Sequence, residues 1–308
     1  MEKIREILDN ISRVIIGKED VIRTLLAGVL CGGHILIEDV PGVGKTTLAK
    51  ALAASLGCSF SRIQFTPDLM PSDIIGLSIY NREQGEFVFK AGPIMSQVVL
   101  ADEINRTSPK TQASLLEAMA EGQVTVDGIS HRLPSPFLVI ATQNPVEYEG
   151  TYPLPEAQLD RFMMCITIGY PGHEEEQRII KVKPGAARPT GVPAVVNPAE
   201  LLKMQAEAGE TYLASSLENY IVSLTWNTRT HPDVLLGVSP RGGQYLYQAA
   251  KAAAYIQGSS HVLPDHIKAM AGPVFTHRLL LKPEARLQGK APDDVLEEIL
   301  NQTSVPVV

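Results

Sequence analysis

A glycine-rich turn near residue 42 carries the first side chains of this chain that could do chemistry. Its sequence, Pro41-Gly-Val-Gly-Lys-Thr46, follows a short apolar run, His34 to Glu38, and precedes a helical pattern from Lys45 to Leu56. Backbone amides in such a turn can point inward and cradle phosphate oxygens, and the positive end of the following helix supports them. We therefore predict that ATP or ADP binds at seven consecutive residues: Pro41, Gly42, Val43, Gly44, Lys45, Thr46 and Thr47.

Two side chains of this turn have specific roles in the prediction. Lys45 would reach the β- and γ-phosphates, and the Thr46 hydroxyl would help to hold Mg²⁺. The general phosphate-loop pattern also has a glycine five residues before Gly44, where this chain has Asp39. A chance Gly-Lys-Thr in a turn is the alternative, but it would not require a strand before it and a helix after it. Asp39 supports a second alternative, a nucleotide-gated binding module in which hydrolysis is slow or absent.

Two acids follow the apolar run 98–101, at the point where a strand would end. Asp102 would hold Mg²⁺, mainly through its water shell, and Glu103 would polarise the attacking water. An Asp-Glu pair alone is a weak signal, because most such pairs are solvated strand ends. Together with the phosphate loop, the pair predicts a Walker B element.

A third polar group, Asn144, lies just past the apolar run 137–141. Next to the other two strand ends, its side chain could touch the γ-phosphate or orient the attacking water. The alternative is a turn asparagine before Pro145, which is common. The order of the motifs along the chain favours the functional interpretation.

Two arginines could neutralise the charge that phosphoryl transfer builds on the γ-phosphate. Arg161, in Leu159-Asp-Arg161-Phe, could be supplied to a neighbouring site, and the alternative is a surface pair with Asp160. Arg241 follows Ser239, a candidate N-cap, and Pro240, a candidate first helical residue. Since an arginine in the first turn opposes the helix dipole, we expect Arg241 to meet an anion.

The elements that must position these side chains alternate between strands and helices. Nearly continuous apolar runs at 98–101 and 137–141 are typical of parallel strands that are covered on both faces. A further strand is predicted at 162–168. This alternation indicates an α/β fold with a central parallel sheet. Beyond the proline- and glycine-rich stretch 183–193, helical patterns dominate residues 198–308 and predict a small all-helical domain.

Composition limits the classes of function. The 308 residues are 44% apolar and 20% charged, as in soluble globular proteins, and the net charge of −7 disfavours non-specific nucleic-acid binding. The three cysteines are scattered and lack metal-ligand spacing, so we expect reduced thiols in the cytoplasm. We also predict no signal peptide and no direct membrane insertion, because no apolar run approaches membrane-spanning length.

Taken in order, these motifs resemble those of the MoxR family of AAA+ ATPases. The resemblance covers nearly the whole chain and rests on six stretches: Pro41 to Thr46, Gln64 to Asp73, Ala101 to Arg106, Ala141 to Pro145, Leu154 to Phe162, and Ser239 to Arg241. It implies that Asn144 is sensor 1, Arg161 the arginine finger and Arg241 sensor 2. It also implies that the segment Ile15-Ile16-Gly17 contacts adenine.

The resemblance implies a P-loop AAA+ core at residues 1–187, a linker at 188–197 and a helical lid domain at 198–308. Two excursions from the core correspond to the helix-2 insert, about 74–90, and to the hairpin before sensor 1, about 122–134. The Asp127-Gly128 pair in the second excursion is a hairpin signal by itself. Both excursions would project from one face of a ring.

The family resemblance further implies Mg²⁺-dependent hydrolysis of ATP to ADP and phosphate. It suggests a chaperone-like remodeller of protein clients, or a role in metal-cofactor insertion, within a homo-oligomer that is a hexameric ring. A protein with a von Willebrand factor A domain is the expected partner. A DNA-acting ring is the alternative, but the segment 123–133 has one Arg and one His and lacks the basic and aromatic clustering that favours strand binding.

Overall fold

The chain alternates strands and helices over its first 180 residues and is mostly helical beyond residue 197. The computed structural model describes residues 2–83, 85–145, 150–181 and 192–306. The strands of the first part are β1 (Ile35–Glu38), β2 (Phe60–Gln64), β3 (Gly76–Asn81), β4 (Glu86–Ala91), β5 (Val98–Asp102), β6 (Gln123–Val126), β7 (Ile129–Arg132), β8 (Leu138–Gln143) and β9 (Met164–Ile166). Its helices are α1 (Glu2–Ser12), α2 (Glu19–Leu30), α3 (Lys45–Ser55), α4 (Pro71–Ile75), α5 (Pro109–Glu121), α6 (Glu156–Leu159) and α7 (His173–Ile180).

Five strands among the described residues form a parallel sheet in the order β2-β5-β8-β1-β9. The register places Ala141 opposite both Leu36 and Ala101. The central strands β1, β5 and β8 are buried along almost their whole length, which explains their unbroken apolar runs. Because the strands are parallel, the carboxyl ends of β1, β5 and β8 meet at one edge. The predicted α/β core with a central parallel sheet is confirmed.

Strand β2 forms one edge of this sheet, and the sequence patterns did not predict it. Of its five residues only Ile63 is buried, while Ser61, Arg62 and Gln64 are polar. An edge strand needs only part of its surface covered, so it lacks the apolar run that identified the central strands. Strand β9 is shorter than the predicted run 162–168, although Phe162 and Met163 before it are fully buried.

Two hairpins leave the core where the excursions were predicted. Strands β3 and β4 pair in one hairpin, and β6 and β7 pair in the other. Asp127 and Gly128 both have positive φ, +52° and +79°, as a two-residue hairpin turn of this type requires. The rings of Phe89 and His131 stack with centroids 3.8 Å apart, so the hairpins contact each other.

The second part of the chain is a helical unit. Its helices are α8 (Pro198–Gly209), α9 (Ser215–Thr230), α10 (Pro240–Gln257), α11 (Pro264–Phe275), α12 (Pro283–Leu287) and α13 (Pro292–Gln302). One short antiparallel pair, β10 (Val234–Leu236) with β11 (Leu280–Leu281), departs from the all-helical expectation. Strands of two or three residues are too short to display a period in sequence. In the described part of the chain, no helix has the length and apolarity needed to cross a membrane.

The predicted linker, 188–197, lies partly outside the described residues, which resume at residue 192. Its described end packs on the core. The Val195 amide donates to the Ser55 carbonyl at 2.9 Å, and the Asn10 side-chain amide donates to the Pro193 carbonyl at 3.0 Å. Asn197 then caps α8 by accepting from the Glu200 amide. These bonds fix the chain where it enters the helical unit.

His34, just before β1, is a buried titratable group whose surroundings predict a pH-dependent stability. Its Nδ1 accepts from the Val139 amide, and its Nε2 lies 3.1 Å from the Met119 carbonyl. Burial lowers the pKa of His34 from its ordinary 6.5 to about 4, so between these values the unfolded chain binds a proton that the folded chain does not. We predict that this residue removes up to about 3 kcal/mol from the free energy of unfolding as pH falls from 7 to 4.

Urea titrations of wild type and His34→Gln over this pH range measure the effect. Gln supplies an acceptor and a donor but does not titrate, so the variant is expected to lose less stability on acidification. Parallel pH profiles of the two proteins would contradict the prediction.

Candidate nucleotide-binding site

The carboxyl ends of β1, β5 and β8 surround a cavity of about 290 Å³. The turn after β1 forms one wall, and Asp102 at the end of β5, Glu103 after it and the asparagine after β8 form the other. The cavity is lined by Pro41, Gly42, Gly44, Lys45, Thr46, Thr47, Asp102, Glu103 and Asn144. The structure therefore brings together the three motifs that the sequence placed at strand ends.

The turn between β1 and α3 has the backbone geometry of a phosphate cradle. Gly42 and Gly44 have φ of +87° and +97°, values that side chains disfavour, and Gly44 stands at the N-cap of α3. A Cβ on Gly42 would meet no atom within 4 Å, so this side of the turn is open. The Lys45 ammonium donates to the Asp39 carbonyl at 2.6 Å and so lies across the turn.

Asp39, the departure from the general loop pattern, fixes the start of this turn. Its buried carboxylate accepts from the amides of Val40 at 2.8 Å, Ile168 at 2.7 Å and Gly169 at 2.6 Å. The last two amides follow β9, on the far side of β1 from β8. Asp39 thus ties the phosphate loop to the edge of the sheet, a function that glycine could not perform.

Restoring the general pattern with Asp39→Gly is therefore expected to destabilise the protein. The change leaves the three amides without their acceptor, at a cost of about 2–4 kcal/mol in the free energy of unfolding. The denaturation midpoint in urea measures the loss, and Asp39→Asn, which keeps one acceptor oxygen, should lose less. An Asp39→Gly protein as stable as wild type would contradict this assignment.

Asp102, at the end of β5, is held by groups from both neighbouring strands. The Thr142 hydroxyl on β8 donates to Oδ1 at 2.6 Å. From β2, Arg62 donates to Oδ2 twice, from Nε at 3.0 Å and from Nη2 at 2.7 Å. Arg62 therefore balances the charge of this carboxylate and fixes its plane at the floor of the cavity.

Glu103, the residue after β5, has a left-handed backbone conformation, with φ +59° and ψ +51°, and the chain turns away from the strand there. Such a backbone costs a non-glycine residue about 1 kcal/mol and is frequent at functional sites. The Glu103 amide donates to the Thr142 hydroxyl at 2.8 Å, which holds the turn. Gln64, at the end of β2, donates to Glu103 Oε2 at 2.7 Å, and Arg106 Nη1 lies 3.5 Å from the same oxygen. Two side chains thus restrain the carboxylate.

The two predicted arginines do not line this cavity. Arg161 donates from Nη1 to the Leu116 carbonyl on α5 at 2.6 Å. Arg241 lies in the first turn of α10, after the N-cap Ser239, as predicted, with Nη1 3.8 Å from Asp160 Oδ2. The alternative of an Asp160–Arg161 surface pair is wrong, because Asp160 bonds Ser239 and Arg278 of the helical unit.

The predicted adenine segment lies beside the phosphate loop. Ile15 Cδ1 stands 3.6 Å from the position that a Cβ on Gly44 would take. Ile16 is partly buried and Gly17 is exposed, with φ +74°. The Val43 side chain packs against the hydrophobic core and does not line the cavity. Val43 could therefore contribute to nucleotide binding only through its backbone.

The donor set fits a magnesium nucleotide. A hydroxyl at Thr46 and a carboxylate at Asp102 are oxygen ligands of the kind that Mg²⁺ prefers, and both residues line the cavity. A second group of candidate ligands, His231, Asp233 and Glu298, lies in the helical unit. There the Lys290 ammonium is 2.8 Å from Asp233 and 2.9 Å from Glu298, so an ion-pair network already satisfies these carboxylates.

Sequence reasoning missed three residues that shape this site. Arg62 and Gln64 sit two residues apart on β2, so both side chains lie on one face and hold Asp102 and Glu103. Thr142 lies in the motif around Asn144, and its bonds to Asp102 and to the Glu103 amide have no counterpart in the sequence pattern. An alternating polar pattern at the end of an edge strand was the available signal, but such patterns are also common on solvent-facing edges.

Comparison with known proteins agrees with this architecture. Residues 34–164 match the model of the ATPase family associated with various cellular activities (AAA), and residues 227–299 match the AAA lid domain. An uncharacterised protein of Bacillus subtilis, YeaC, is 49% identical over 97% of this chain and 94% of its own length. Chaperone MoxR1 of Mycobacterium tuberculosis is 39% identical over 97% of this chain and 81% of its own length.

A solved structure has the same fold. The crystal structure of a protein from Cytophaga hutchinsonii, described as a candidate ATPase, superposes with a TM-score of 0.92. Its sequence is 40% identical, and the match covers 99% of this chain and 96% of that one. The similarity therefore includes the core and the helical lid in one arrangement.

Proposed function

Since the chain belongs to the MoxR family of AAA+ ATPases, we propose that it hydrolyses ATP to ADP and phosphate and uses this reaction to remodel protein clients. The observation that carries the proposal is the shared cavity in which Lys45, Thr46, Asp102, Glu103 and Asn144 converge. The family membership supports an ATPase, and the convergence of these five residues supports the proposed hydrolysis.

Binding in this proposal begins at the phosphate loop. The positive-φ glycines direct backbone amides toward the phosphates, and the N-terminus of α3 adds its dipole. The Lys45 ammonium, now on the Asp39 carbonyl, would exchange this neutral acceptor for phosphate oxygens. Thr46 and Asp102 would hold Mg²⁺, which, when bound, neutralises charge on the phosphates.

Hydrolysis requires Glu103 to polarise a water molecule. Gln64 and Arg106 both contact Oε2 and so restrain the carboxylate, and Oε1 would be the oxygen that accepts from the water. Asn144, which is buried on the same wall, would orient this water or contact the γ-phosphate. Thr142 keeps Asp102 and Glu103 in register, because its hydroxyl bonds to both.

We propose that a neighbouring copy completes the site with Arg161. This arginine lies outside its own protomer's cavity and is bonded to α5, which supports action on a different protomer. A ring satisfies this requirement for every protomer, since each copy presents the same surface to the next. Six copies are the expectation from the family resemblance.

The client in this proposal is a protein, and a partner with a von Willebrand factor A domain helps to select it. The name of the mycobacterial relative, a chaperone, supports a protein client. The partner is the expectation from the family resemblance. The β3–β4 hairpin offers exposed apolar side chains, with Phe87 72% exposed and Tyr80 52% exposed. Affinity capture of such a partner by the ATP-bound protein, but not by the ADP-bound protein, would test this part of the proposal.

Phosphate release by the purified protein tests the proposed reaction. We expect turnover per protomer to rise with protein concentration and then level off, because an isolated protomer lacks the arginine of its neighbour. The Lys45→Ala variant is expected to lose both nucleotide binding and turnover, because its phosphate ligand is gone. Turnover per protomer that stays constant on dilution would contradict the composite site, and absent turnover would contradict hydrolysis.

A further inference from the structure

The two consecutive acids Asp102 and Glu103 each have an arginine partner, and the two pairs differ in strength. Asp102 accepts two hydrogen bonds at one oxygen, Oδ2, from Arg62 Nε at 3.0 Å and from Arg62 Nη2 at 2.7 Å. Glu103 has a single contact of this kind, at 3.5 Å from Arg106 Nη1. Charge-assisted bonds donated twice by one guanidinium are strong and have a defined geometry. Arg62 and Asp102 therefore form the tighter pair.

Arg62 reaches Asp102 from outside the nucleotide cavity. The Asp102 side chain is 10% exposed and lines the cavity, whereas the Arg62 side chain is 46% exposed and lies outside the lining. The guanidinium thus has access to solvent on one side and contacts a nearly buried carboxylate on the other. A carboxylate with so little access to water depends on its partner for charge balance. Arg62 can therefore act on a bound nucleotide through Asp102, without contacting the nucleotide itself.

The two oxygens of Asp102 differ in the contacts that they can still accept. Oδ1 accepts one bond, from the Thr142 hydroxyl at 2.6 Å, and a carboxylate oxygen can accept about two. Oδ2 already accepts both bonds of Arg62. A metal-bound water can therefore be held at Oδ1, but a ligand at Oδ2 competes with the guanidinium.

The charge of the Asp102–Arg62 pair decides what a bound nucleotide meets. Asp102 lines the same cavity as the phosphate loop, so its negative charge would repel the phosphates if no cation stood beside it. The guanidinium, with Nη2 2.7 Å from Oδ2, offsets much of this repulsion. A bound Mg²⁺ offsets it in the same way, so arginine and metal are alternative cations for one carboxylate. The presence of Arg62 therefore reduces the gain in nucleotide affinity that the metal can supply.

We propose that Arg62 is a built-in counterion of Asp102 that competes with Mg²⁺ and lets the site hold a nucleotide before the metal binds. This inference rests on the proposed nucleotide site and adds a positioning residue that sets the coupling between metal and nucleotide. The coupling is measured as the nucleotide Kd without Mg²⁺ divided by the Kd with it. Removing the guanidinium weakens metal-free binding and favours metal binding, so both effects raise this ratio.

Equilibrium titrations with a fluorescent, non-hydrolysable ATP analogue, in excess EDTA or in saturating Mg²⁺, measure this ratio without turnover. In Arg62→Ala the ratio should rise about tenfold, the typical contribution of hydrogen bonds to a charged group. Arg62→Gln, which can still donate to Asp102 but carries no charge, should raise it similarly. Arg62→Lys keeps the charge but loses the planar fork, so its ratio should stay within about threefold of wild type.

Two further variants show whether the effect passes through Asp102. In Asp102→Asn, which has no charge to balance, adding Arg62→Ala should leave the ratio unchanged. Arg132→Ala, which removes an exposed arginine from β7, is the matched control and should keep the wild-type ratio.

The inference is overturned if the ratio is unchanged or lower in either neutral variant of Arg62. An unchanged ratio would give the arginine a structural role alone, and a lower ratio would mean that it prepares Asp102 for the metal. If the wild-type protein binds the analogue in neither condition, the proposed nucleotide site is what fails.

Discussion

Replacing Glu103 with Gln is expected to lower ATP turnover about 10²–10³-fold while ATP binding changes little. The amide cannot accept the proton of the attacking water, whereas Lys45, Thr46 and the loop amides are unchanged. Gln at this position can still bond to the Gln64 side chain, so the wall of the cavity should keep its shape. Single-turnover phosphate release and equilibrium binding of a fluorescent ATP analogue measure the two quantities separately.

Glu121→Gln is the matched control for this prediction. Glu121 is an exposed acid at the end of α5, so the same chemical change there should leave turnover within about twofold of wild type. A Glu103→Gln protein that hydrolyses ATP at a similar rate would remove Glu103 from the mechanism. The proposed hydrolysis would then need another catalytic group.

Replacing Arg161 with Ala is expected to lower turnover about 10³-fold, since an arginine finger contributes this much to phosphoryl transfer. ATP binding should remain, because Arg161 does not line the cavity of its own protomer. Arg161→Lys keeps the charge but loses the planar fork, so it should recover only part of the lost rate. The measurement is steady-state phosphate release at saturating ATP and at a protein concentration where wild-type turnover per protomer has levelled off.

Arg178→Ala, which removes an exposed arginine from α7, controls for the general loss of surface charge. Sedimentation of Arg161→Ala with ATP separates lost assembly from lost catalysis, since an assembled but inactive protein indicates a missing finger. Normal turnover by Arg161→Ala would exclude action on a neighbouring site.

The sequence predicted the parts of this site that follow buried strands. Asp102, Glu103 and Asn144 come directly after runs whose apolarity marks them as central strands, and parallel strands place their carboxyl ends together. The same reasoning could not reach β2, because an edge strand with one buried residue has no apolar run. The sequence therefore could not show that Arg62 and Gln64 hold Asp102 and Glu103.

The other residues whose roles the sequence could not predict have partners that are distant in the chain. From the sequence, Asp160 is a candidate surface partner of the adjacent Arg161. In the structure its main partner is Arg278, which lies 118 residues away. Nothing in local spacing encodes such a pair. Asp39 is a similar case, because its acceptor role depends on the amides of Ile168 and Gly169, which only the strand order brings near. Helix α13 is different, because its buried residues Val295, Leu296 and Ile299 have the spacing of one helix face and are therefore recognisable in the sequence.

A mixture of Glu103→Gln and Arg161→Ala proteins tests the central claim most directly, that ATP is hydrolysed at a site completed between two copies of this chain. Each protein alone should be nearly inactive. In an equimolar mixture, an Arg161→Ala protomer can receive the intact arginine of a Glu103→Gln neighbour, so about a quarter of the sites should be complete. Turnover well above the sum of the two separate proteins is the predicted result. Turnover equal to that sum, in a mixture shown to co-assemble, would contradict the account.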